Sequence, residues 1–433
     1  MTALGTSVLF VRGCPRSGTT LLADVLNEDP RIALMVEFPL GELVGDLLQL
    51  LAYEHHINEK FVKPFGEAAP VADGNFFSPV ANGPRLRYPR RYPSHERFPA
   101  IVKSVMEASL EKSGIAYMGS KTPGRWVGTD FDLIKSIFGP PKLVFVVRNP
   151  RDTVNSIVNR RNLTRAGRDN WNFETVEQAI DVYREGTAQL MSCALEMPND
   201  TFVVGYEDLL ANPSETLALL GEFLGLDLRD RSGLIQQTNR GKDVLTDDEE
   251  RLVEAAFGSA LQTWDQKRLT GEGARVAAML DDCVMTPEDG FAYRFDSPAA
   301  LRAVFGAGWA EATSDGVWSD GPVADMFLSL PAGRYVFTLE LAGFLPKPDS
   351  PQVECLIQID DTPAFTHTFA YMSAARFEFK DVNLTHDGMQ RLSFRFAGLK
   401  QARERGGADG DARRLGVCAR GLKVQRLAEA GSS

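Results

Sequence analysis

Residues Gly13 to Thr20, GCPRSGTT, stand between an apolar run, SVLFVR, and the helical pattern LLADVL. Against the phosphate-loop spacing G-x-x-x-x-G-K-[ST], Gly13, Gly18 and Thr20 match, while Thr19 stands where the lysine belongs. The order strand, loop, helix aims the loop and first-turn N–H groups at one point, and the helix dipole adds partial positive charge there. Ser17, Thr19 and Thr20 add hydroxyl donors, and Arg16 adds a full charge. The missing lysine is the group that would reach the β- and γ-phosphates of a nucleoside triphosphate. Phosphate binding therefore survives in this pattern better than triphosphate chemistry does. The competing reading is a plain helix cap, with Ser17 or Thr19 capping LLADVL.

A second cluster follows the apolar run KLVFVVR. Arg148 closes that run, and Ser156 and Arg160, four residues apart, share one face of the next helix. Where a triphosphatase would carry a magnesium carboxylate, this strand ends in arginine, which suits a further anion rather than a divalent cation. The alternative is that Arg160 and Arg161 form only a solvated basic face.

These groups need elements to hold them. VLFV (8–11), KLVFVVR (142–148) and TFVVGYEDL (201–209) read as buried parallel strands. Helical patterns alternate with them in TTLLADVLNE, SHERFPAIVKSVMEASLEKSG, DTVNSIVNRRNL and TVEQAIDVYREGTAQLMSCALEM. Alternation of this kind predicts an α/β fold, a phosphate-loop-type parallel sheet flanked by helices. A Pro- and Gly-rich stretch, 64–93, reads as a long insertion over the sheet. Residues 269–290 hold a last helix and a linker, and beyond them short alternating strands predict an all-β sandwich, jelly-roll-like. The expected division is 1–285 for the α/β domain and 286–433 for the sandwich.

The 433 residues carry 47 Lys and Arg against 58 Asp and Glu, a net charge of −11. That balance argues against nucleic acid or an anionic membrane as the main partner, so an anionic ligand needs a locally basic pocket. The five cysteines show no C-x-x-C spacing, and the histidines no metal-ligand spacing. With no leader-like or bilayer-spanning apolar segment at the N-terminus, a cytoplasmic protein without a metal is expected.

PRSGTTLL followed by VFVVRNPRDTVNSIVNRR, and then by FVVGYEDLLANPSETLALLGEFLGL (202–226), resembles the sulfotransferase family. The nearest resemblance is to its tyrosylprotein and bacterial branch, and it covers roughly residues 5–265. It implies 3′-phosphoadenosine 5′-phosphosulfate as donor. On that resemblance Pro15, Arg16, Ser17, Gly18, Thr19 and Thr20 cradle the 5′-phosphosulfate. Arg148, Ser156 and Arg160 hold the 3′-phosphate, and Tyr206 contacts the donor, although a core aromatic with a wet hydroxyl is the other reading of that tyrosine.

The same resemblance makes Glu37, in ALMVEFPLGEL, the general base, with Glu42 its nearest competitor. Lys121, in a Lys-x-Pro turn of YMGSKTPGRW, becomes the cation at the leaving phosphate, assisted by Arg16. Arg240 and Lys242 are candidates for the closing loop, and a histidine base would have to come from His55, His56 or His95. The C-terminal module resembles a sandwich attached to bacterial enzymes of surface-polysaccharide synthesis. Its Trp309 and Trp318 either stack on a sugar or plug the core. A saccharide hydroxyl is thus the expected acceptor, ahead of a peptide tyrosine or small alcohol. An ATP-dependent kinase and an inert carbohydrate-binding protein are the readings from other classes.

Overall fold

The computed structural model describes residues 7–36, 75–77, 87–89, 98–122, 134–135, 138–165, 175–235, 243–287, 290, 292–295, 304–313, 315–345, 352–360, 362–370, 373–401 and 414–427. The first part runs β1 (Ser7–Gly13), α1 (Thr19–Asn27), β2 (Ile32–Val36), β3 (Asn75–Phe77), β4 (Arg87–Pro89), α2 (Phe98–Ser109) and β5 (Tyr117–Lys121). It continues through β6 (Lys142–Val147), α3 (Pro150–Arg165), α4 (Val176–Glu196), β7 (Thr201–Gly205), α5 (Tyr206–Ala211) and α6 (Pro213–Leu224). It closes with α7 (Asp247–Trp264), β8 (Gly271–Glu272) and α8 (Gly273–Ala277).

One sheet of order β2-β5-β1-β6-β7-β8 organises these elements, parallel throughout except for β8. Its strands read as unbroken apolar runs because both faces are covered. Along β1, Val8 and Phe10 enter a core with Ala188 of α4 and Phe257 of α7, whereas Leu9 and Val11 enter a core with Leu22 of α1 and Leu217 of α6. The two-residue period of a strand thus divides one run between two hydrophobic layers.

Three elements depart from the sequence reading. The strand expected over 201–209 stops at Gly205, and Tyr206 opens a helix. The Lys-x-Pro turn expected around Lys121 is instead the end of β5, a strand between β2 and β1. YMGSK lacks the β-branched signature of a strand because Gly119 lets two backbones approach; an added Cβ there would lie 1.8 Å from the Leu9 carbonyl oxygen. α7, with a capping box from Thr246 and Glu249, stands where no helix was expected.

The later strands are β9 (Ala292–Arg294), β10 (Trp309–Thr313), β11 (Gly316–Asp320), β12 (Val323–Leu330), β13 (Gly333–Gly343) and β14 (Val353–Ile359). β15 (Phe365–Phe369), β16 (Ala374–Leu384), β17 (Gly388–Ala397), β18 (Lys400–Gln401) and β19 (Arg414–Arg426) complete them. They form two antiparallel sheets, β10-β11-β19-β13-β16 with β9 and β18 also on β19, and β12-β17-β14-β15. Phe337, Leu339, Leu328, Ile357 and Phe394 from both sheets share one core.

Trp309 is fully buried in that core, edge-on to Phe394 at 5.3 Å, and its Nε1 donates to the Asp325 carbonyl at 2.8 Å. It is a core plug and not a sugar platform. Trp318 packs edge-on against Phe344 at 5.4 Å.

The sandwich seats on α4. The Ala307 N–H donates to Ser192 Oγ at 3.0 Å, and Arg391 forks onto Asp325 at 2.9 and 3.1 Å while also reaching Glu196. Among the described residues no helix is long and apolar enough to cross a membrane.

Candidate active site

The carboxyl ends of the parallel strands lie along one edge of the sheet, where open α/β folds bind ligands. There Gly13 ends β1, Lys121 ends β5, and Val147 of β6 is in register with Gly205 of β7. The loop after β1 turns through Gly13 at φ 151°, Arg16 at φ 72° and Gly18 at φ 103°. Arg16 is a non-glycine residue in the left-handed region, a conformation that concentrates at functional sites.

Gly18 is the N-cap of α1 and makes no side-chain cap, and the first turn holds no acidic residue. Neither Ser17 nor Thr19 therefore caps this helix, which removes the plain-cap reading. By contrast α4 and α7 both carry complete capping boxes. The first-turn N–H groups of α1 thus face outward with no protein acceptor from a cap. Ser17 is fully buried, and its Oγ has no hydrogen-bond partner among the described residues.

Four of the sequence candidates meet around this loop. Arg16 Nε donates to Ser156 Oγ of α3 at 3.1 Å, and Arg148 Nη1 donates to the Arg16 carbonyl at 3.1 Å. The Arg148 guanidinium lies over the Tyr206 ring, 4.7 Å from its centroid. The same ring closes the other side of the loop, because a Cβ at Gly18 would sit 2.4 Å from it. Pro15 lies half-buried in the loop, and Thr20 is exposed in the first turn of α1. Arg160 lies half-buried one turn beyond Ser156. Arg161 is buried and paired with Glu249 at 2.9 Å, so it is not part of a solvated face.

Two residues that the sequence reading missed hold this corner. Glu207 Oε1 accepts the Asn149 N–H at 2.9 Å, and Oε2 accepts Trp264 Nε1 at 3.3 Å. Burial pushes its carboxyl above the ordinary range, opposed by the Asn149 N–H. Tyr183 donates its hydroxyl to the Arg148 carbonyl at 2.8 Å, and burial raises that phenol too. Both residues grip the backbone on either side of the Arg148–Asn149 peptide. Glu207 follows Tyr206 directly, but an acid in a first helical turn ordinarily signals only the helix dipole.

Lys121 is 5% exposed, and its register partners are Val11 of β1 and Val36 of β2. It is therefore a buried strand-end lysine beside the strand that leads into the loop. Glu37, the residue after Val36, lies outside the described residues, as do Glu42, His55, His56, His95, Arg240 and Lys242.

A model of the sulfotransferase family matches residues 9–230, which takes in the loop, the Arg148 cluster and the Tyr206 corner. The chain belongs to the sulfotransferase family. The sulfotransferase domain of the Synechococcus PCC 7002 olefin synthase is similar at 18% identity, over 65% of this chain and 96% of that one, with a TM-score of 0.33. A sulfotransferase from Alicyclobacillus acidocaldarius is similar at 14% identity, over 62% and 98%, with a TM-score of 0.33. TmCBM61, solved with β-1,4-galactotriose, is similar at 11% identity over 27% of this chain and 74% of its own, TM-score 0.19. No curated protein matches the sequence. Membership makes this sulfotransferase a sulfuryl-transferring enzyme in general terms.

Proposed function

We propose that this sulfotransferase moves a sulfuryl group from 3′-phosphoadenosine 5′-phosphosulfate to an acceptor hydroxyl, on a saccharide in the first instance. One observation carries the donor assignment: the uncapped α1 terminus and the Arg16–Ser156–Arg148–Tyr206 cluster converge on one loop. The fit is supported by the orphaned Ser17 Oγ and by a cradle at Gly18 that a Cβ would fill. Residues 15–20 would hold the 5′-phosphosulfate; Arg148, Ser156 and Arg160 would hold the 3′-phosphate, with Tyr206 against the nucleotide.

The chemistry the donor supplies is a sulfuryl group on a phosphate oxygen, so the acceptor O–S bond forms as the S–O(phosphate) bond breaks. Arg16 and the loop N–H groups place fixed positive charge where the equatorial and leaving oxygens gain negative charge. Lys121 brings the ammonium that Thr19 lacks, from the end of β5 beside β1. Glu37 follows the β2 residue in register with Lys121 and takes the acceptor proton. The chain's residues thus orient the donor, receive one proton and neutralise the leaving phosphate.

The saccharide assignment draws on the appended sandwich, and the five buried free cysteines support a reducing, cytoplasmic setting. Calorimetry with adenosine 3′,5′-bisphosphate, and separately with ATP and magnesium, tests the donor. Binding of the bisphosphate is expected; ATP–magnesium binding without it would overturn the reading in favour of a kinase. Turnover of labelled donor over saccharide, tyrosine-peptide and small-alcohol panels tests the acceptor. Unaltered turnover in Glu37→Gln removes that residue as base.

A further inference from the structure

The sandwich holds a cavity of about 460 Å³ on elements separate from the donor loop. That volume falls within the usual range of small-molecule sites. It is lined by β16, the last strand of one sheet, and by the turn that leads into β15, the last strand of the other. Its walls are Asp360 and Thr362 from the β14–β15 turn, and Phe379, Asn383, Thr385 and His386 from β16 and its exit. An aromatic cluster stands beside it, with Phe365 edge-on to Phe377 at 5.6 Å and to Phe379 at 5.9 Å; Phe365 is 41% exposed.

Two of its lining residues, Asp360 at φ 44° and Asp381 at φ 62°, occupy the left-handed region. Among the described residues only Arg16 and Glu111 join them as non-glycine cases, and Arg16 belongs to the donor loop. Backbone of this kind concentrates at sites where a side chain must be aimed. Asp360 is fixed firmly: its N–H donates to the Arg391 carbonyl and its Oδ1 accepts the Arg391 N–H, each at 2.8 Å. Its Oδ2 lies 3.8 Å from His386 Nε2.

The charges select the ligand. The cavity's cation, Lys380, is 3.4 Å from Glu378, and Asp381 is paired with Arg334. Among the described lining residues Lys380 faces Glu378 and His386 faces Asp360, so a bound anion would meet no cation without a carboxylate beside it. Three or more metal-ligating side chains do not cluster anywhere among the described residues. What remains is a rigid carboxylate, an amide, two hydroxyls and a phenyl ring around a partly apolar space. A carboxylate accepts from neighbouring hydroxyls, an amide both donates and accepts, and a ring packs on C–H faces. We propose that this cavity binds a neutral, hydroxyl-rich ligand, the end of a saccharide chain, at a site separate from sulfuryl transfer. The inference does not require that the acceptor itself be a saccharide.

Full-length protein titrated calorimetrically with neutral trisaccharides of glucose, mannose, galactose and xylose tests it, each with and without saturating adenosine 3′,5′-bisphosphate. At least one trisaccharide is expected to bind, equally in both conditions. Asp360→Asn and Asn383→Ala should each weaken that binding about tenfold, the loss of a hydrogen bond to one ligand hydroxyl, while bisphosphate affinity and thermal stability stay unchanged. Asn383 is exposed, so its variant keeps the test readable should Asp360→Asn misfold. No binding across the panel, equal binding in both variants, displacement by the bisphosphate, or tighter binding of a sulfated trisaccharide would each overturn the proposal. Failure of bisphosphate to bind at all would instead strike the donor assignment alone.

Discussion

Replacing Gly18 by alanine probes the donor site most directly, because one methyl group meets two independent obstacles. At φ 103° the backbone of residue 18 lies beyond the region that L-residues tolerate, a cost of about 1–2 kcal/mol. The new Cβ would also stand 2.4 and 2.7 Å from two carbons of the Tyr206 ring, closer than packed carbons allow. The ring must move, and Arg148, stacked on it at 4.7 Å, loses a contact worth roughly 0.5–2 kcal/mol. If half or more of this total of about 1.5–4 kcal/mol falls on the donor-competent loop, bisphosphate affinity drops by roughly fourfold to several hundredfold. Calorimetry measures that drop, and thermal denaturation shows how much is paid as stability. A double-mutant cycle separates the two obstacles: Tyr206→Ala removes the ring, so Gly18→Ala should cost less in that background. Affinity within threefold of the parent, or strictly additive effects in the cycle, would refute the argument.

Lys121→Ala should keep bisphosphate affinity within a few-fold and lower turnover by about 10²–10³, the usual cost of removing one electrostatic stabiliser; single-turnover assays distinguish this from lost binding. Glu207→Ala leaves the Asn149 and Trp264 donors without acceptors, so stability should fall by about 2–4 kcal/mol and bisphosphate affinity with it, whereas Glu207→Gln should restore much of both; denaturant melts read the first and calorimetry the second. Asp181 on α4 is pushed up to about 6, first by burial and then by Glu177 and Glu185, against the pull of Arg184. A carboxyl raised on folding contributes most below about pH 4 and loses that contribution as pH rises through about 6. The loss amounts to at most roughly 3 kcal/mol. Asp181→Asn should therefore melt at a higher temperature than the parent at pH 7.5 and at nearly the same temperature at pH 4, and a difference independent of pH contradicts this.

Much of the architecture was written in local pattern. The apolar runs at 8–11 and 142–148, the helix periods between them and the alternating strands beyond residue 300 are near-neighbour signals, and each became the element it suggested. The misread elements share one physical feature, which is that distant backbone decides them. β5 is a strand whose Gly119 admits the Leu9 backbone, and beyond Tyr117 its sequence carries little strand propensity of its own. The strand ending at Gly205 gives way to helix just where Tyr206 and Glu207 are needed against the loop and Asn149. The sequence neighbours of Trp309 leave it between a sugar platform and a core plug, and Phe305 and Phe394 make it core.

The sequence by itself determined the glycine loop with phosphate-loop spacing, the absence of its lysine, the arginine-bearing second strand and hence the family, because spacing along a strand–loop–helix unit is a short-range property. Only the tertiary structure decided that α1 is left uncapped, that Arg16, Arg148, Ser156 and Tyr206 form one cluster, and that Lys121 is buried at the end of the strand paired with β1. Those facts depend on which strands become neighbours in the sheet. Register across a sheet is set by the packing of both its faces at once, and no single segment carries that information.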